Sequence, residues 1–198
     1  MRPLIHLRRA GRVSGLGIAT VDALARARTP VVLAVRNPGR GEAAATTVKG
    51  ARGTLEVCRL DEADLSTIRE FATAWQGDLD ILINNAGVMN TPESTTKDGF
   101  ETQFATNHLG PFALTNLLLS HITARVVSLS SNAHRIPAST RINFDNPNLT
   151  GKYNPDGRLR PVQAGHPVVN PGTPAPPPRR RLPPCVPWPH TPGGPRPT

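Results

Sequence analysis

The sequence predicts an α/β protein with a doubly wound parallel β-sheet, incomplete on its C-terminal side and followed by a disordered tail rich in proline and arginine. Apolar segments of strand length alternate with amphipathic segments of helix length over residues 18–136. The predicted strands are almost continuously apolar, as parallel strands covered by helices on both faces are. This periodicity stops after Phe144, and 14 of the 22 prolines follow Asp156, where they can neither propagate a helix nor pair in a central strand.

Predicted strands and helices alternate along the first part of the chain. The first helix opens at Gly15 and is expected to present one face made by Ile18, Val21, Leu24 and Arg28. The later elements are a strand at 31–35, an alanine-rich helix at 40–49, a strand at 54–60, a helix at 65–75, a strand at 79–83, a helix at about 99–122 and a strand at 125–130. In sheets of this class, ligands bind beyond the carboxyl ends of the strands.

Composition divides the chain at about residue 155, so we expect one partial domain over 1–155 and the tail over 156–198. The tail contributes +5 of the net charge of +9, from six arginines and Asp156. Positive charge spread over such a tail is weaker evidence for nucleic-acid binding than a basic face on a folded domain, so no nucleic-acid partner is predicted. Cys58 and Cys185 are too few for a disulfide framework, which predicts reduced thiols and a cytoplasmic location. No zinc-ligand spacing and no apolar run of membrane-spanning length occur, so neither a metal nor a membrane span is predicted.

Three glycines, Gly11, Gly15 and Gly17, mark a loop at the start of the first helix. Without side chains, such a loop lets a pyrophosphate reach backbone N–H groups and the positive end of the helix. The same spacing also occurs in ordinary turns. Ser14 and Leu16 fall within this loop and complete the candidate cofactor-binding set there.

Two charged residues follow the second and third predicted strands. Arg36 lies where a group contacting the adenosine ribose is expected, and an arginine favours a 2′-phosphate, as in NADP, over the free hydroxyl of NAD. A solvated arginine is the alternative. Asp61 could accept a hydrogen bond from an adenine amino group, or it could cap the following helix.

Polar residues also follow the strand at 79–83 and occupy the elements after it. Consecutive amides at the end of a buried strand need partners, so Asn85, Ala86 and Gly87 are predicted to bind the cofactor. Asn107 precedes Pro111 by four residues, which predicts a kink and a free carbonyl able to hold a water, although a simple packing kink is the alternative. Ser131 could present its hydroxyl to a substrate carbonyl or belong to a turn.

Four motifs taken together resemble the short-chain dehydrogenase/reductase superfamily, and most of all its retinol-dehydrogenase-like and WW-domain-oxidoreductase-like branch. They are Gly11-x-x-x-Gly15-x-Gly17, Asn84-Asn-Ala-Gly87, Asn107-His-Leu-Gly110 and Val127-Ser-Leu-Ser-Ser131. The resemblance implies a Rossmann-type domain, an NADP or alternatively NAD cofactor, and hydride transfer between a small-molecule alcohol and a carbonyl. It also implies that Ser131 hydrogen-bonds the substrate oxygen and that Asn107 anchors a proton-relay water.

The general acid/base that this resemblance implies, a tyrosine four residues before a lysine, is missing. Tyr153 is the only tyrosine, Gly157 stands four residues further on, and no lysine follows Lys152. Residues 159–165 can be encoded CTA-CGG-CCA-GTC-CAA-GCT-GGC, and one nucleotide later the same bases read Tyr-Gly-Gln-Ser-Lys-Leu-Ala. We therefore expect a frameshift between about Asn154 and Leu159, a tail translated out of frame, and an inactive chain as encoded.

A binding protein is the rival interpretation. The spacing Pro174-Ala-Pro-Pro177-Pro-Arg179 is that of an SH3-type polyproline ligand, so the tail could serve as an interaction arm of a non-catalytic nucleotide-binding protein. Either way, a half-built sheet exposes strand edges, which predicts a possible homo-oligomer.

Overall fold

The computed structural model describes residues 16–49, 51–130 and 144–148, together with the backbone alone of 3–7 and 186–187. Its strands are β1 Pro3–Leu7, β2 Val31–Val35, β3 Leu55–Arg59, β4 Leu79–Asn84, β5 Ile122–Ser128 and β6 Val186–Pro187. Its helices are α1 Leu16–Arg26, α2 Pro38–Ala45, α3 Leu65–Ala74, α4 Thr102–Phe104 and α5 Gly110–Leu117, with a π turn at Ala105–Leu109 and a 3₁₀ turn at Leu119–His121.

The strands form one sheet in the order β5-β4-β1-β2-β3-β6. Strands β1 to β5 are parallel, and β6 pairs antiparallel with β3. From β1 the chain adds β2 and β3 on one side and β4 and β5 on the other, so the order reverses between β1 and β4. This is the doubly wound arrangement that the sequence predicts, and its switch point lies beside the end of β4.

Helices cover both faces of the sheet. The first face packs under α3 and α5 in a core cluster that includes Ile68, Phe71, Trp75, Leu82 and Leu114. The second face packs under α1 and α2, in a cluster that runs from Val21 to β2, β3 and the end of β4. Because side chains alternate along a strand, the residues of β2 contribute in turn to the two faces and all five are buried.

Helix boundaries differ from the predicted ones where capping decides them. Helix α2 begins at Pro38 rather than at residue 40, because the Asn37 side chain accepts a hydrogen bond from the Arg40 N–H and Pro38 suits the first turn. Arg28 was expected on the face of α1 but lies beyond the helix, in left-handed backbone at φ 61°.

A helical run lies within the predicted range of about 99–122, but it extends only from Thr102 to Leu117 and contains a π turn. Helix α4 begins only after Glu101, whose carboxylate accepts from the N–H groups of Gln103 and Phe104. Proline at position 111 cannot donate a backbone hydrogen bond, and the chain passes through the π turn immediately before it. Strand β5 starts at Ile122, three residues earlier than the sequence predicts, and ends at Ser128.

Most of the predicted tail lies outside the described residues, as does the predicted boundary at residue 155. Val186 and Pro187 are an exception to the predicted disorder, because they pair with Val57 and Glu56 of β3 at the edge of the sheet, a position that proline tolerates. Cys58 is disulfide-bonded, whereas the sequence predicted reduced thiols. Within the described segments no helix has the length and apolar character needed to cross a bilayer.

Candidate functional site

The strands that carry the predicted site residues end at one edge of the sheet. The register aligns Val35 of β2 with Arg59 of β3, and Asn84 of β4 with Ser128 of β5. Carboxyl ends of parallel strands meet at the same edge, so the residues that follow them share it. Arg36, Asp61 and the segment Asn85–Gly87 are thereby brought to one side of the molecule.

Asn107 holds the loop that follows Gly87. Its Oδ1 accepts a hydrogen bond from the Val88 N–H at 2.8 Å, and its Nδ2 donates to the Val88 carbonyl at 2.8 Å. The amide thus binds both backbone groups of one residue. This contact fixes the position of the chain directly after the small residues Ala86 and Gly87, and it commits the Asn107 side chain to the protein rather than to a substrate.

The π turn places Asn107 where it can make this contact. The Gly110 N–H donates to the Ala105 carbonyl, five residues earlier, which is the π pattern. A Cβ at Gly110 would lie 2.4 Å from the Glu62 carbonyl oxygen and 2.7 Å from the Glu62 Cβ. Only glycine permits this approach, which sets α5 against the chain that follows β3. The kink predicted from Pro111 is therefore a tightly packed π turn.

Asn84 forms a buried polar cluster at the end of β4. Its Nδ2 donates to Thr115 Oγ1 at 3.1 Å and to Ser128 Oγ at 3.2 Å, and its carbonyl accepts from the Leu129 N–H at 3.1 Å. Asn84 is 6% exposed, and its buried Oδ1 has no hydrogen-bond partner among the residues that the structure describes. The cluster ties α5 and the end of β5 to the strand that precedes Asn85–Gly87.

Asp61 does not cap α3, which removes one of its two predicted roles. Its Oδ1 accepts from the Ala63 N–H at 3.1 Å, and its backbone carbonyl accepts from Thr67 Oγ1. The cap is Asp64, whose Oδ1 accepts from the N–H groups of Ser66 and Thr67. Asp61 instead shapes the turn at the end of β3, at the shared edge.

Asp64 also binds Lys97 of the loop between β4 and α4, with Nζ 2.7 Å from Oδ1. Burial on its own raises the pKa of Asp64, but hydrogen bonds from Lys97, Ser66 and Thr67 outweigh it and lower the pKa from 3.8 to about 2. Asp98 of the same loop accepts from the Leu65 N–H at 2.9 Å. Two loop residues thus hold the start of α3, and neither contact is evident from the local sequence.

The remaining predicted residues divide into those that are described and those that are not. Arg36 is exposed directly after β2, Leu16 is exposed at the first turn of α1, and Gly17 is buried in that helix. Gly11, Ser14, Gly15 and Ser131 lie outside the described residues, and so does Tyr153.

Sequence reasoning missed several residues that organise the site. Thr115 and Ser128 bind Asn84, Glu101 caps α4, and Asp98 accepts from the Leu65 N–H at the start of α3. The glutamate has a local signal, because an acidic residue directly before a helix is a common cap. The other contacts join residues that are distant in sequence, so no local pattern predicts them.

A doubly wound parallel sheet with its polar residues gathered at the carboxyl edge defines a Rossmann-type α/β protein. The sequence matches the family described as short chain dehydrogenase over residues 10–144. The chain belongs to this family, on its retinol-dehydrogenase-like branch.

Similar proteins include retinol dehydrogenase 13 of Homo sapiens, 45% identical over 154 residues, which covers 73% of this chain and 46% of that protein. Retinol dehydrogenase 12 of Bos taurus is 44% identical over 135 residues, covering 64% of this chain and 43% of that protein. The chain therefore spans a little under half the length of these two curated relatives.

Solved structures show the same fold. A protein of Mycobacterium paratuberculosis superposes with a TM-score of 0.72 at 44% identity, over 82% of this chain and 57% of that one. A short-chain dehydrogenase of Sphingobium yanoikuyae in complex with NADPH superposes with a TM-score of 0.56 at 23% identity, over 69% and 56% of the two chains. At that identity the second likeness supports the fold alone.

Proposed function

We propose that this chain derives from an NADP-dependent oxidoreductase that transfers a hydride between a small-molecule alcohol and a carbonyl, and that it is inactive as encoded. The observation that carries the proposal is the two-point contact of Asn107 with Val88. It fixes the small-residue segment Asn85–Gly87 at the strand edge where ligands of doubly wound sheets bind. The nicotinamide cofactor would supply or accept the hydride when bound.

The residues around the end of β4 suit a nicotinamide cofactor. Ala86 is half-buried and Gly87 is exposed, so their backbone groups are accessible without large side chains in the way. A Cβ at Gly87 would lie 3.4 Å from Asn107 Oδ1, which is tight against the atom that holds Val88. A larger residue at position 87 would therefore both narrow the cofactor's approach and disturb the Asn107 contact.

Arg36 supports NADP over NAD. The residue is exposed at the edge that carries Asn85–Gly87 and has no hydrogen bond or ion pair within the described residues. A guanidinium with free donors matches the geometry and charge of a 2′-phosphate. Asp61, two residues beyond β3, remains the proposed acceptor for the adenine amino group, because it lies at the edge that carries Arg36 and Asn85–Gly87.

The two proposed catalytic residues, Asn107 and Ser131, bind and orient groups but do not act as a general acid/base. Both polar groups of the Asn107 amide bind Val88, so its proposed role in holding a relay water falls to its backbone carbonyl. Ser131 is proposed to hydrogen-bond the substrate oxygen. Neither residue titrates near neutral pH, and therefore neither replaces the missing tyrosine and lysine as a general acid/base.

The missing pair accounts for the proposed inactivity. Loss of a general acid/base lowers the rate by about 10²–10⁴. We propose that the tyrosine and lysine lie in another reading frame of the gene, over the codons of residues 159–165, and that the domain encoded in frame is 1–155. The tail over residues 156–198 is then not a functional part of the enzyme.

A nucleotide titration of the purified chain tests the proposal. We expect NADPH to bind more tightly than NADH by tryptophan or nucleotide fluorescence, with no oxidation of NADPH when aldehydes or ketones are added. Arg36→Ala is expected to weaken NADPH binding about tenfold to a hundredfold, the effect of losing one hydrogen bond to a charged group, and to leave NADH binding unchanged. Arg40→Ala is the control, because Arg40 is also exposed but lies within α2.

Equal affinity for the two nucleotides would contradict the NADP assignment. Turnover of NADPH at the rate of a complete dehydrogenase would contradict the proposed inactivity. Binding without turnover would also suit a non-catalytic nucleotide-binding protein, the second candidate, which the absence of a Tyr-x-x-x-Lys pair favours. The reading frame of the gene separates the two.

A further inference from the structure

Two asparagine side chains, one at each end, hold the loop between β4 and α4. At its start, Asn107 binds the N–H and the carbonyl of Val88. At its end, Asn148 Oδ1 accepts from the Glu101 N–H at 3.0 Å, and Asn148 Nδ2 donates to the Gly99 carbonyl at 3.3 Å. Each amide uses its donor and its acceptor on the loop backbone. Asn148 does so from a segment 47 residues further along the chain than Glu101.

The end of the loop that Asn148 binds is a compact turn. The Thr96 N–H donates to the Phe100 carbonyl at 2.8 Å, and the Gly99 N–H donates back to the Thr96 carbonyl at 3.0 Å. Gly99 has a φ of 84°, a conformation that glycine adopts without strain. A turn closed in this way moves as a unit, so a contact at Gly99 and Glu101 constrains all of it.

Glu101 passes this constraint into the helix that carries Asn107. Its carboxylate is buried and accepts from the Gln103 N–H at 2.8 Å and from the Phe104 N–H at 2.7 Å. Its carbonyl accepts from the Ala105 N–H at 2.8 Å. Helix α4 runs without interruption into the π turn. An unbroken series of hydrogen bonds therefore joins Asn148 to the turn, the turn to α4, and α4 to Asn107.

We propose that Asn148 is a positioning residue for the loop between β4 and α4, here called the cofactor loop, and that it acts through Glu101 and Asn107 on Val88. Holding the start of α4 fixes where Asn107 lies, and Asn107 fixes the chain directly after Gly87. The segment beyond β5 and the loop beyond β4 thereby order together. The consequence for nucleotide binding rests on the proposed function, whereas the consequence for the backbone of Val88 does not.

Hydrogen exchange of single amides, measured by NMR on the full chain, tests the proposal. In Asn148→Ala we expect exchange at both Glu101 and Val88 to accelerate about fivefold, the effect of one lost hydrogen bond. Asn148→Asp keeps the acceptor for the Glu101 N–H and loses the donor to Gly99, so it is expected to restore most of the protection at both amides. Asn116→Ala is the matched control, because Asn116 is exposed on α5 and, among the described residues, its side chain donates to the Phe112 carbonyl alone; the substitution should change neither amide.

A double variant separates positioning from general destabilisation. In Asn107→Ala the Val88 N–H has already lost its partner, so adding Asn148→Ala should accelerate Glu101 further but leave Val88 unchanged. Acceleration at Glu101 alone in the single variant Asn148→Ala would overturn the proposal, and so would additive acceleration at Val88 in the double variant.

Nucleotide affinity gives the second measurement. We expect Asn148→Ala to weaken NADPH binding about fivefold, in step with the Val88 exchange rate, and Asn148→Asp to recover most of it. If the unmodified chain binds no NADPH, the proposed function fails while the Val88 exchange rates still decide the role of Asn148. If NADPH binds equally well to all variants although Val88 exchange accelerates, the effect of Asn148 on nucleotide binding is overturned.

Discussion

The two faces of the sheet differ in how completely helices cover them. Under α3 and α5 the cover extends across the sheet from β3 to β5, where Val126 packs against the core and Ile122 is buried. Under α1 and α2 the cover reaches β2, β3 and the end of β4. On that second face of β5, Thr123, Arg125 and Val127 are exposed, whereas Ala124 is the exposed residue of the first face.

Among the described residues, the first face is the more completely packed. The first face has buried helices, a close helix approach at Gly110 and a buried polar cluster around Asn84. Strand β5 pairs with β4 and with no other strand in the part of the chain that the structure describes. Unpaired strand edges favour association, which is the physical basis of the possible homo-oligomer that the sequence predicts.

Core truncations should show the largest contrast between the faces. Leu114 of α5 is fully buried on the first face, whereas Val127 of β5 is 39% exposed on the second. We expect Leu114→Ala to lower the free energy of unfolding by about 2–5 kcal/mol. Val127→Ala should change it by less than about 1 kcal/mol, since the residue is only partly buried. Urea denaturation of both variants measures the contrast, and similar losses would show that β5 is covered on both faces.

The close approach of α5 to the chain after β3 should be the next most sensitive feature. In Gly110→Ala the new Cβ would collide with the backbone oxygen of Glu62, and we expect a loss of about 1–3 kcal/mol. Gly39→Ala is the matched control, because a Cβ there meets only Asn37 Oδ1 at 3.6 Å and alanine favours a helix by about 0.5–1 kcal/mol. A Gly110→Ala protein as stable as the Gly39→Ala protein would contradict the packing of α5.

Removing the side chain that caps a helix should lower the free energy of unfolding by a smaller amount, and the loss should differ between α3 on the first face and α2 on the second. Asp64 of α3 accepts from two backbone N–H groups and from Lys97, whereas Asn37 of α2 accepts from the Arg40 N–H. We expect Asp64→Ala to cost about 1–2 kcal/mol and Asn37→Ala about 0.5–1 kcal/mol. Thermal unfolding at neutral pH measures both. A larger loss in Asn37→Ala would reverse the assigned order.

Acid should remove part of the stability that Asp64 gives to the folded protein. The folded protein lowers the pKa of Asp64 to about 2, below the value of about 3.9 for an unfolded chain. Its contribution is therefore complete above about pH 4 and is lost as the pH falls towards 2. Asp64→Asn keeps a capping side chain that does not titrate, so its stability should fall less steeply over this interval. Identical pH profiles for the two proteins would contradict the lowered pKa.

The sequence predicts the layered order of this fold well because that order depends on periodicity. The bounds of continuous apolar strands such as 31–35 and 79–83 are predicted to within one residue. Boundaries are predicted less well where one contact decides them, as at Glu101, whose carboxylate caps α4 three residues after the predicted start at about 99. At the site, Arg36 and Asn85–Gly87 follow predicted strands, and their position needs only the strand register.

Contacts between distant residues account for what the sequence does not predict. Nothing near Asn107 indicates that its amide binds Val88 rather than a ligand, because that contact requires the packing of α5 against Glu62. The binding of Asn84 to Thr115 and Ser128 joins three elements that meet only in the folded sheet. The general acid/base, in contrast, is missing from the sequence itself, because the chain contains no Tyr-x-x-x-Lys pair.

The measurement that tests the central claim most directly is sequencing of the gene across the codons for Asn154 to Gly165. We expect one base to be missing or extra relative to this translation, which would restore Tyr-x-x-x-Lys in the frame of the catalytic domain and give an active reductase. If the frame stands as written, the tyrosine and lysine are absent from the protein. The frameshift would then be contradicted, and the chain would be a non-catalytic member of its family.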